Sequence, residues 1–412
     1  MKTDVIVLGA GIVGTSIAHN LAERGRAVAL VDRRGPGEET SYGNAGLVER
    51  GSIYPVAFPR SLPALIEVAR GRNPAANYHW DALPGLIPWM FAYWRASAPA
   101  RILDYARSMS TLLAFSLSEH QRLAAMAGAQ HYFRDGGWLK LYRTEAGIAQ
   151  ERKEFPLAHQ YGLAAREIGL DEAIALEPHL RPVFRHAVLW SDPHSVSSPA
   201  GVTQAYAASL AMLGGQVLRG DARTLTRLGT GWWVMTEQGP VEAPEVVVAL
   251  GPWARDILDP FGVRVPLAVK RGYHMHYRPD GNAGLTRPVL DEEGGYVITP
   301  MVGGIRLTTG VEFARRDAPK TPVQLEKTEP LARGLFPLGE RAEAEPWLGC
   351  RPAFPDMLPA IGPVARQKGL WLAIGHQHLG FTLGPITGRL IAEMMGGEPT
   401  CVDPAPFSPG RF

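Results

Sequence analysis

The first 32 residues contain the pattern that most limits how this chain can fold. Val5–Leu8 is a short β-branched run, which is typical of a buried parallel strand. A G-x-G-x-x-G motif at residues 9–14 follows directly, and a helical pattern runs over Ile12–Glu23. A second apolar run then ends in Asp32. This order predicts a βαβ unit, and therefore an α/β fold with a parallel, Rossmann-like sheet.

Each glycine of the motif has its own physical purpose. Gly9 permits the tight turn after the strand, Gly11 lets the backbone approach a pyrophosphate, and Gly14 lets helix and strand pack closely. The helix N-terminus adds free N–H groups and a partial positive charge. Asp32 ends the second strand, where its carboxylate can accept hydrogen bonds from a ribose. These residues predict a dinucleotide site, but alone they do not distinguish FAD from NAD.

Further glycine-containing segments are candidates for the rest of a cofactor site. Residues 40–46 are small and polar, and they either wrap a ligand or form an ordinary surface loop. A strand at 246–250 and another, Leu370–Ile374, each run into a glycine, and a helix is predicted at 385–395. The expected cofactor contacts are Gly9, Ala10, Gly11, Ile12, Val13, Gly14, Asp32, Arg33, Arg34, Thr40, Ser41, Asn44, Ala45, Gly46, Leu47, Gly251, Trp253, Gly375, Gly380, Phe381 and Thr382.

Composition narrows the class of protein. The chain has 412 residues, enough for two domains, and a net charge of +2 that gives no reason to expect nucleic acid. Its two cysteines cannot form a disulfide framework, which suits a reducing, cytoplasmic compartment. No run of 18 apolar residues occurs, so no membrane-spanning helix is expected.

The region between the glycine segments divides into helical and β-rich parts. Residues 62–127 are predicted to be mostly helical, with one helix starting at Ser61 and another containing an aromatic cluster at 89–94. That cluster is interpreted as helix packing, with contact to a membrane surface or a quinone as the alternative. Residues 263–312 contain strands that suit an antiparallel substrate domain inserted into the dinucleotide fold.

Together these pieces carry a resemblance to a known family. Residues 9–32, 40–46, 246–253, 349–356 and 375–389 are similar to those of the D-amino acid oxidase-type FAD oxidoreductases, and within them to the D-amino acid dehydrogenase branch. The resemblance implies a glutathione-reductase-type FAD domain (1–55, 196–258 and 345–412) interrupted by a substrate domain of β-sheet and helices (56–195 and 259–344). It also implies FAD as cofactor, which agrees with a second glycine loop far from the first.

The family resemblance also suggests site residues. Arg351, in a Gly-x-Arg-Pro motif, matches the arginine that clamps the substrate carboxylate. Tyr273 is a candidate second carboxylate contact, and His376 and His378 are candidate ring-flanking or proton-relay residues, with structural roles as the alternative. No residue spacing supports a metal site. The flavin-bearing cysteine of sarcosine oxidase-like relatives corresponds to Gly349, so non-covalent FAD is implied.

The implied reaction is oxidation of a D-amino acid. Hydride leaves the substrate α-carbon for flavin N5, and water hydrolyses the imine to a 2-oxo acid and ammonia. A cyclic substrate such as D-proline or a hydroxyproline is one option, and the expected acceptor is a quinone or respiratory carrier at the inner membrane face. The alternatives are an oxidase of glycine, sarcosine or another amine that uses O₂, and a non-catalytic flavin-binding subunit.

Overall fold

The computed structural model describes residues 1–61 and 74–412. Its helices are α1 Ile12–Glu23, α2 Leu83–Ala96, α3 Pro99–Ala127, α4 Glu145–Gln160, α5 Leu170–Leu176, α6 Pro199–Met212, α7 Ala254–Leu258, α8 Val323–Leu335 and α9 Gly380–Gly396. Its strands are β1 Val5–Leu8, β2 Val28–Asp32, β3 Leu47–Val48, β4 Ala76–Tyr78, β5 Phe133–Arg134, β6 Trp138–Tyr142, β7 Ala165–Ile168, β8 His186–Trp190, β9 His194–Val196, β10 Gln216–Arg219, β11 Thr226–Leu228, β12 Gly231–Thr236, β13 Gly239–Ala243, β14 Glu245–Val248, β15 Ala268–Pro279, β16 Val289–Asp291, β17 Tyr296–Met301, β18 Gly304–Thr309, β19 Val311–Phe313, β20 Leu338–Arg341, β21 Trp347–Ala353, β22 Ala360–Pro363 and β23 Leu370–Ile374.

The predicted βαβ unit forms the centre of a six-stranded sheet. Its order is β10-β2-β1-β14-β23-β22, and every neighbouring pair is parallel except β22 with β23. The side chains of β1 are fully buried, as expected for a strand covered on both faces. Because ligands bind beyond the carboxyl ends of such strands, this sheet places Gly9 and Asp32 at the expected edge. The Rossmann-like α/β prediction is confirmed.

A second, larger sheet lies in the middle of the chain. Its main path is β4-β19-β15-β18-β17-β16-β6-β8-β7, and β20 and β21 also pair with β15. The strands from β15 to β19 pair antiparallel with one another, as predicted. The sheet as a whole is mixed, however, because β4 and β6, from earlier in the chain, join it in parallel.

Several local predictions needed correction. Helix α9 begins at Gly380 rather than at Pro385, which lies inside the helix. Proline is tolerated there because His120 of α3 satisfies the carbonyl of Phe381, which lacks its usual helical donor (Nε2 to O, 2.7 Å). Strand β9 pairs antiparallel with β3 and β5 in a small separate sheet. The helix predicted to start at Ser61 falls mainly outside the described residues.

Candidate active site

A cavity of about 900 Å³ is lined by residues of both large sheets. One part of its wall comes from the glycine motif and β2, and another from β15, β18 and β21. A cavity of this size, with both glycine loops and charged side chains in its wall, suits a long cofactor next to a small substrate.

The glycine motif supplies backbone rather than side chains to the cavity. A Cβ on Gly9 would lie 2.6 Å from the carbonyl of Ala249, and a Cβ on Gly14 would lie 1.8 Å from the carbonyl of Gly9. Both positions are therefore closed to side chains, which is the predicted reason for glycine there. A Cβ on Gly11 would meet only the Ser41 hydroxyl, at 3.2 Å, and one on Gly251 would meet nothing within 4 Å. These open positions fit the close approach of a pyrophosphate.

Most of the predicted cofactor contacts lie in the cavity wall. Those that line it are Gly9, Gly11, Ile12, Val13, Asp32, Arg33, Thr40, Ser41, Asn44, Ala45, Leu47, Gly251, Trp253, Gly380, Phe381 and Thr382. The remaining ones do not line it: Ala10, Gly14, Arg34, Gly46 and Gly375. Of these, Gly46 packs its backbone against Val196 and Gly375 against the Phe354 ring, so they shape the wall rather than form it.

Polar contacts organise the expected ribose and phosphate region. Asp32 accepts hydrogen bonds from the backbone N–H of Ala10 (2.7 Å) and of Arg34 (2.9 Å). The Ser41 hydroxyl accepts the N–H of Ile12, at the start of α1, at 2.9 Å. The Arg33 guanidinium lies 4.4 Å from the centroid of the Trp253 ring, which holds these two wall residues together.

Arg351 belongs to the part of the cavity wall that β15, β18 and β21 form. Its guanidinium donates to the carbonyls of Gly310 (2.8 Å) and Thr309 (3.2 Å). No carboxylate among the described residues is ion-paired to it, and burial lowers its pKa to about 10. A Cβ on Gly272 would lie 2.7 Å from the guanidinium, so glycine is needed for the arginine to lie across β15. The arrangement leaves a positioned cation that can bind a carboxylate.

Lys270 is a second cation in the same part of the cavity. It is the cross-strand partner of Arg351 in the β15–β21 pair, and it is only 6% exposed. Its ammonium lies 4.2 Å from the centroid of the Tyr93 ring and 5.5 Å from that of Trp89. His378 lines the same region, and burial together with the charges of Arg351 and Lys270 lowers its pKa to about 3.

Tyr273 and His376 also line the cavity, and both side chains have hydrogen-bond partners within the protein. The Tyr273 side chain is on the face of β15 opposite Lys270 and Gly272, and its hydroxyl donates to Glu312 (3.1 Å) and accepts from Arg271 and Thr321. Its role as a second carboxylate contact stays a prediction. The buried His376 ring contacts the Thr387 hydroxyl through Nε2 (3.0 Å), and its role next to the flavin stays a prediction.

Other side chains of this region have clear structural settings. His274 and His276 share a face of β15 with ring centroids 5.1 Å apart, and His274 stacks on Trp347 at 4.8 Å. Within the aromatic cluster, Trp89 and Tyr93 are buried, whereas Phe91 is 59% exposed. The cluster therefore packs Trp89 and Tyr93 against Lys270 of the cavity wall and leaves Phe91 on an outward face. Cys350 is buried, which raises the pKa of its thiol to about 11.

Lys270 is the main site residue that the sequence reasoning did not single out. A signal was available, because alternation along a strand places residues 270 and 272 on one face. The sequence does not show the pairing of β15 with β21, and only this pairing puts that face against Arg351.

The fold and the cavity define a protein that holds a dinucleotide cofactor between two sheets. Residues 4–394 match the family model described as FAD dependent oxidoreductase (DAO); the chain belongs to this family, and FAD is its cofactor. The chain is 30% identical over 424 residues to a D-amino acid dehydrogenase of Rhizobium johnstonii, and the alignment covers 99% of each chain. It is 29% identical over 421 residues to a glycine oxidase of Pseudomonas aeruginosa, covering 100% of both.

The structural comparison agrees on the fold. The crystal structure of glycine oxidase from Geobacillus kaustophilus superposes with a TM-score of 0.76 at 23% identity, covering 100% of this chain and 99% of that one. Among the helices of residues 1–61 and 74–412, none has the length and hydropathy needed to cross a membrane.

Proposed function

We propose that this enzyme oxidises the Cα–N bond of D-α-amino acids, with Arg351 as the anchor of the substrate carboxylate. The observation that carries the proposal is an enclosed guanidinium, held by two backbone carbonyls, in a cavity that also contains the cofactor-binding loops. FAD, when bound, supplies the acceptor for the hydride that leaves the substrate. The protein's own contribution is to bind and orient the amino acid.

Several residues would perform that orientation. A bidentate pair with Arg351 fixes both carboxylate oxygens, so rotation about the Cα–carboxylate bond is limited. The neutral His378 ring next to the two cations offers a partly apolar neighbour for the bound substrate. The names of the relatives, D-amino acid dehydrogenase and glycine oxidase, support an amino acid as the substrate.

The electron acceptor is proposed to be a quinone or respiratory carrier. The support is the outward face of α2, where Ile87 (61% exposed) and Phe91 (59% exposed) present apolar surface next to the buried Trp89 and Tyr93. Contact of this face with the inner surface of the cell membrane would bring such an acceptor near the cavity. Rapid peroxide formation in air, with no reduction of a soluble quinone analogue, would favour an oxidase instead.

Anaerobic flavin reduction tests the substrate assignment. Purified protein is mixed without oxygen with D-, L- and N-methyl amino acids, including D-proline and glycine, and flavin absorbance is followed. We expect bleaching by D-amino acids and none by their L-enantiomers. Reduction by glycine or sarcosine but not by larger D-amino acids would select the amine oxidase alternative. Protein that binds flavin and is reduced by no member of the panel would indicate a non-catalytic subunit.

A further inference from the structure

The cavity contains an amine whose placement carboxylate recognition alone does not require. Lys270 is only 6% exposed, and it lines the cavity. In the part of the chain that the structure describes, its ammonium has neither an ion-pair partner nor a hydrogen-bond acceptor; its near neighbours are the aromatic faces of Tyr93 and Trp89. A buried lysine without an acidic partner is unusual, because burial disfavours the charged form.

The position of Lys270 relative to Arg351 defines what it can reach. The two residues are directly opposite in the β15–β21 pair, so their side chains leave the same face of the sheet from adjacent points. Gly272, the next residue on that face, leaves the space over which the guanidinium lies. A carboxylate bound to Arg351 therefore brings the attached α-amino group next to the lysine nitrogen.

The reaction needs a proton acceptor at this place. Amino acids carry an ammonium group at neutral pH, and an ammonium nitrogen has no lone pair with which to form the C=N bond as hydride leaves. Resting on the proposed oxidation of amino acids, we propose that Lys270 is a catalytic residue that accepts the ammonium proton of the bound substrate. In this step the lone pair of Lys270 forms an N–H bond as one substrate N–H bond breaks. The substrate becomes a neutral amine and Lys270 becomes an ammonium. Neither group is oxidised or reduced in this step.

The surroundings of Lys270 suit both of its protonation states. Burial and the charge of Arg351 lower its pKa to about 7, so a neutral amine is available near physiological pH. The titratable groups that face it are the charged Arg351 on β21 and the neutral His378 before α9, while α2 contributes the Tyr93 ring. His378, with its lower pKa, is the weaker base of the two nitrogen groups. After proton transfer, the new ammonium is stabilised by the Tyr93 ring face.

The pH dependence of anaerobic flavin reduction separates a base from a fixed cation. In the wild-type holoenzyme we expect the rate to fall as pH drops through about 7, because protonated Lys270 cannot accept a proton. Lys270→Arg keeps a positive charge that cannot be lost. We expect this variant to react about 100-fold more slowly at pH 7, with a rate that keeps rising until the free amino acid itself loses its proton. Lys270→Gln should behave in the same way.

A matched control is available in the same cavity. Lys140 also lines it, but its ammonium is paired with Glu151 at 3.0 Å. Lys140→Gln should leave the midpoint of the pH profile where the wild type has it. If Lys270→Arg keeps the wild-type profile, Lys270 is only a fixed positive charge and the proposal is overturned.

Proton counting provides a readout that does not depend on turnover. The probe is 2-methylalanine, an amino acid with no α-hydrogen and therefore not oxidisable, titrated calorimetrically at pH 8 in two buffers of different ionisation enthalpy. Wild-type binding should release no net proton, because Lys270 takes it; Lys270→Gln should release one or bind far more weakly. Release of a full proton by the wild type would refute the role of Lys270. Failure of the underlying function looks different, because no amino acid would then reduce the wild-type flavin.

Discussion

At the scale of single residues, Arg351 is a cation that the fold has enclosed without giving it a carboxylate. Its partners, the carbonyls of Thr309 and Gly310, orient the guanidinium but do not neutralise it. A substrate carboxylate completes the charge pair, and an enclosed charged pair of this kind contributes several kcal/mol to binding. We expect Arg351→Met to weaken amino acid binding about 100-fold or more while FAD stays bound.

Two measurements check this expectation. The apparent Kd of a D-amino acid comes from the concentration dependence of anaerobic flavin reduction, and the ratio of flavin absorbance to protein absorbance gives FAD content. Arg341→Met is a control at an arginine of β20 that is ion-paired to Glu329 of α8. This substitution should leave the Kd unchanged. An unaltered Kd in Arg351→Met would remove the residue from substrate binding.

The residue scale also shows what sequence reasoning could reach. Arg351 lies in a local motif, so its role was predictable from neighbours in the chain. The surroundings of Tyr273 were not predictable in this way, because adjacent residues on a strand point to opposite faces and the partners of each face come from other strands. The same holds for Lys270. Only the pairing of β21 with β15 places it next to Arg351.

At the scale of elements, helices α1 and α9 bring the two glycine-rich segments together. A Cβ on Gly388 would lie 2.5 Å from the Ser16 carbonyl, so glycine permits the close contact of the two helices. We expect Gly388→Ala to lower the denaturation midpoint and to reduce FAD retention, because α9 must move away from α1. Gly334→Ala is the matched control, since Gly334 is also helical but has nothing within 4 Å of the added methyl. That control should gain about 0.5–1 kcal/mol of stability. Equal midpoints for the two variants would contradict the packing argument.

Helix α9 also explains why its start could not be predicted. Pro385 suggested an N-terminal position, which is the usual place for proline in a helix. The structure instead places it inside, with His120 of α3 donating to the Phe381 carbonyl at 2.7 Å. The compensating residue is far away in the chain, so no local pattern reveals it.

A double-mutant cycle measures this compensation. His120→Leu should cost about 1–3 kcal/mol, because it leaves a buried carbonyl without a donor. Pro385→Ala restores a backbone N–H in the helix, so His120→Leu should cost less in that background. The free energies come from urea denaturation of the four holoproteins. Additive effects of the two substitutions would mean that His120 stabilises the helix only by packing against the Phe381 ring.

At the scale of the whole molecule, the order of the elements along the sequence does not show which strands pair in each sheet. The parallel sheet is assembled from β1, β2, β10, β14 and β23, which come from four separate parts of the chain. The glycine motifs made its core predictable, but no local signal shows that β21, next to the C-terminal glycine segments, pairs with β15 of the other sheet. The division into an FAD domain (1–55, 196–258, 345–412) and a substrate domain stays a proposal. That division has to accommodate β21, which lies within residues 345–412 but pairs with β15 of the other sheet.

Buried histidines make the whole molecule sensitive to acid. Burial lowers the pKa of His19, His120, His274, His276, His376 and His378. In the unfolded chain these groups titrate near 6.5, so below that pH the unfolded state binds more protons and folding stability is lost until the folded pKa is passed. Burial raises the pKa of Glu49, Glu154 and Glu292, in the case of Glu154 to about 7, and protonation of these carboxyl groups on acidification acts in the opposite direction.

The histidines outnumber these carboxyl groups, so the net effect of acid is destabilising. Each uncompensated histidine removes up to about 1.4 kcal/mol per pH unit below 6.5. We expect the urea midpoint of the holoprotein, followed by tryptophan fluorescence, to fall between pH 7 and pH 5. The His120→Leu/Pro385→Ala double variant has one buried histidine fewer, and it should show a shallower fall over the same range. A midpoint that rises on acidification would mean that the raised carboxyl groups, rather than the histidines, govern the stability of this fold.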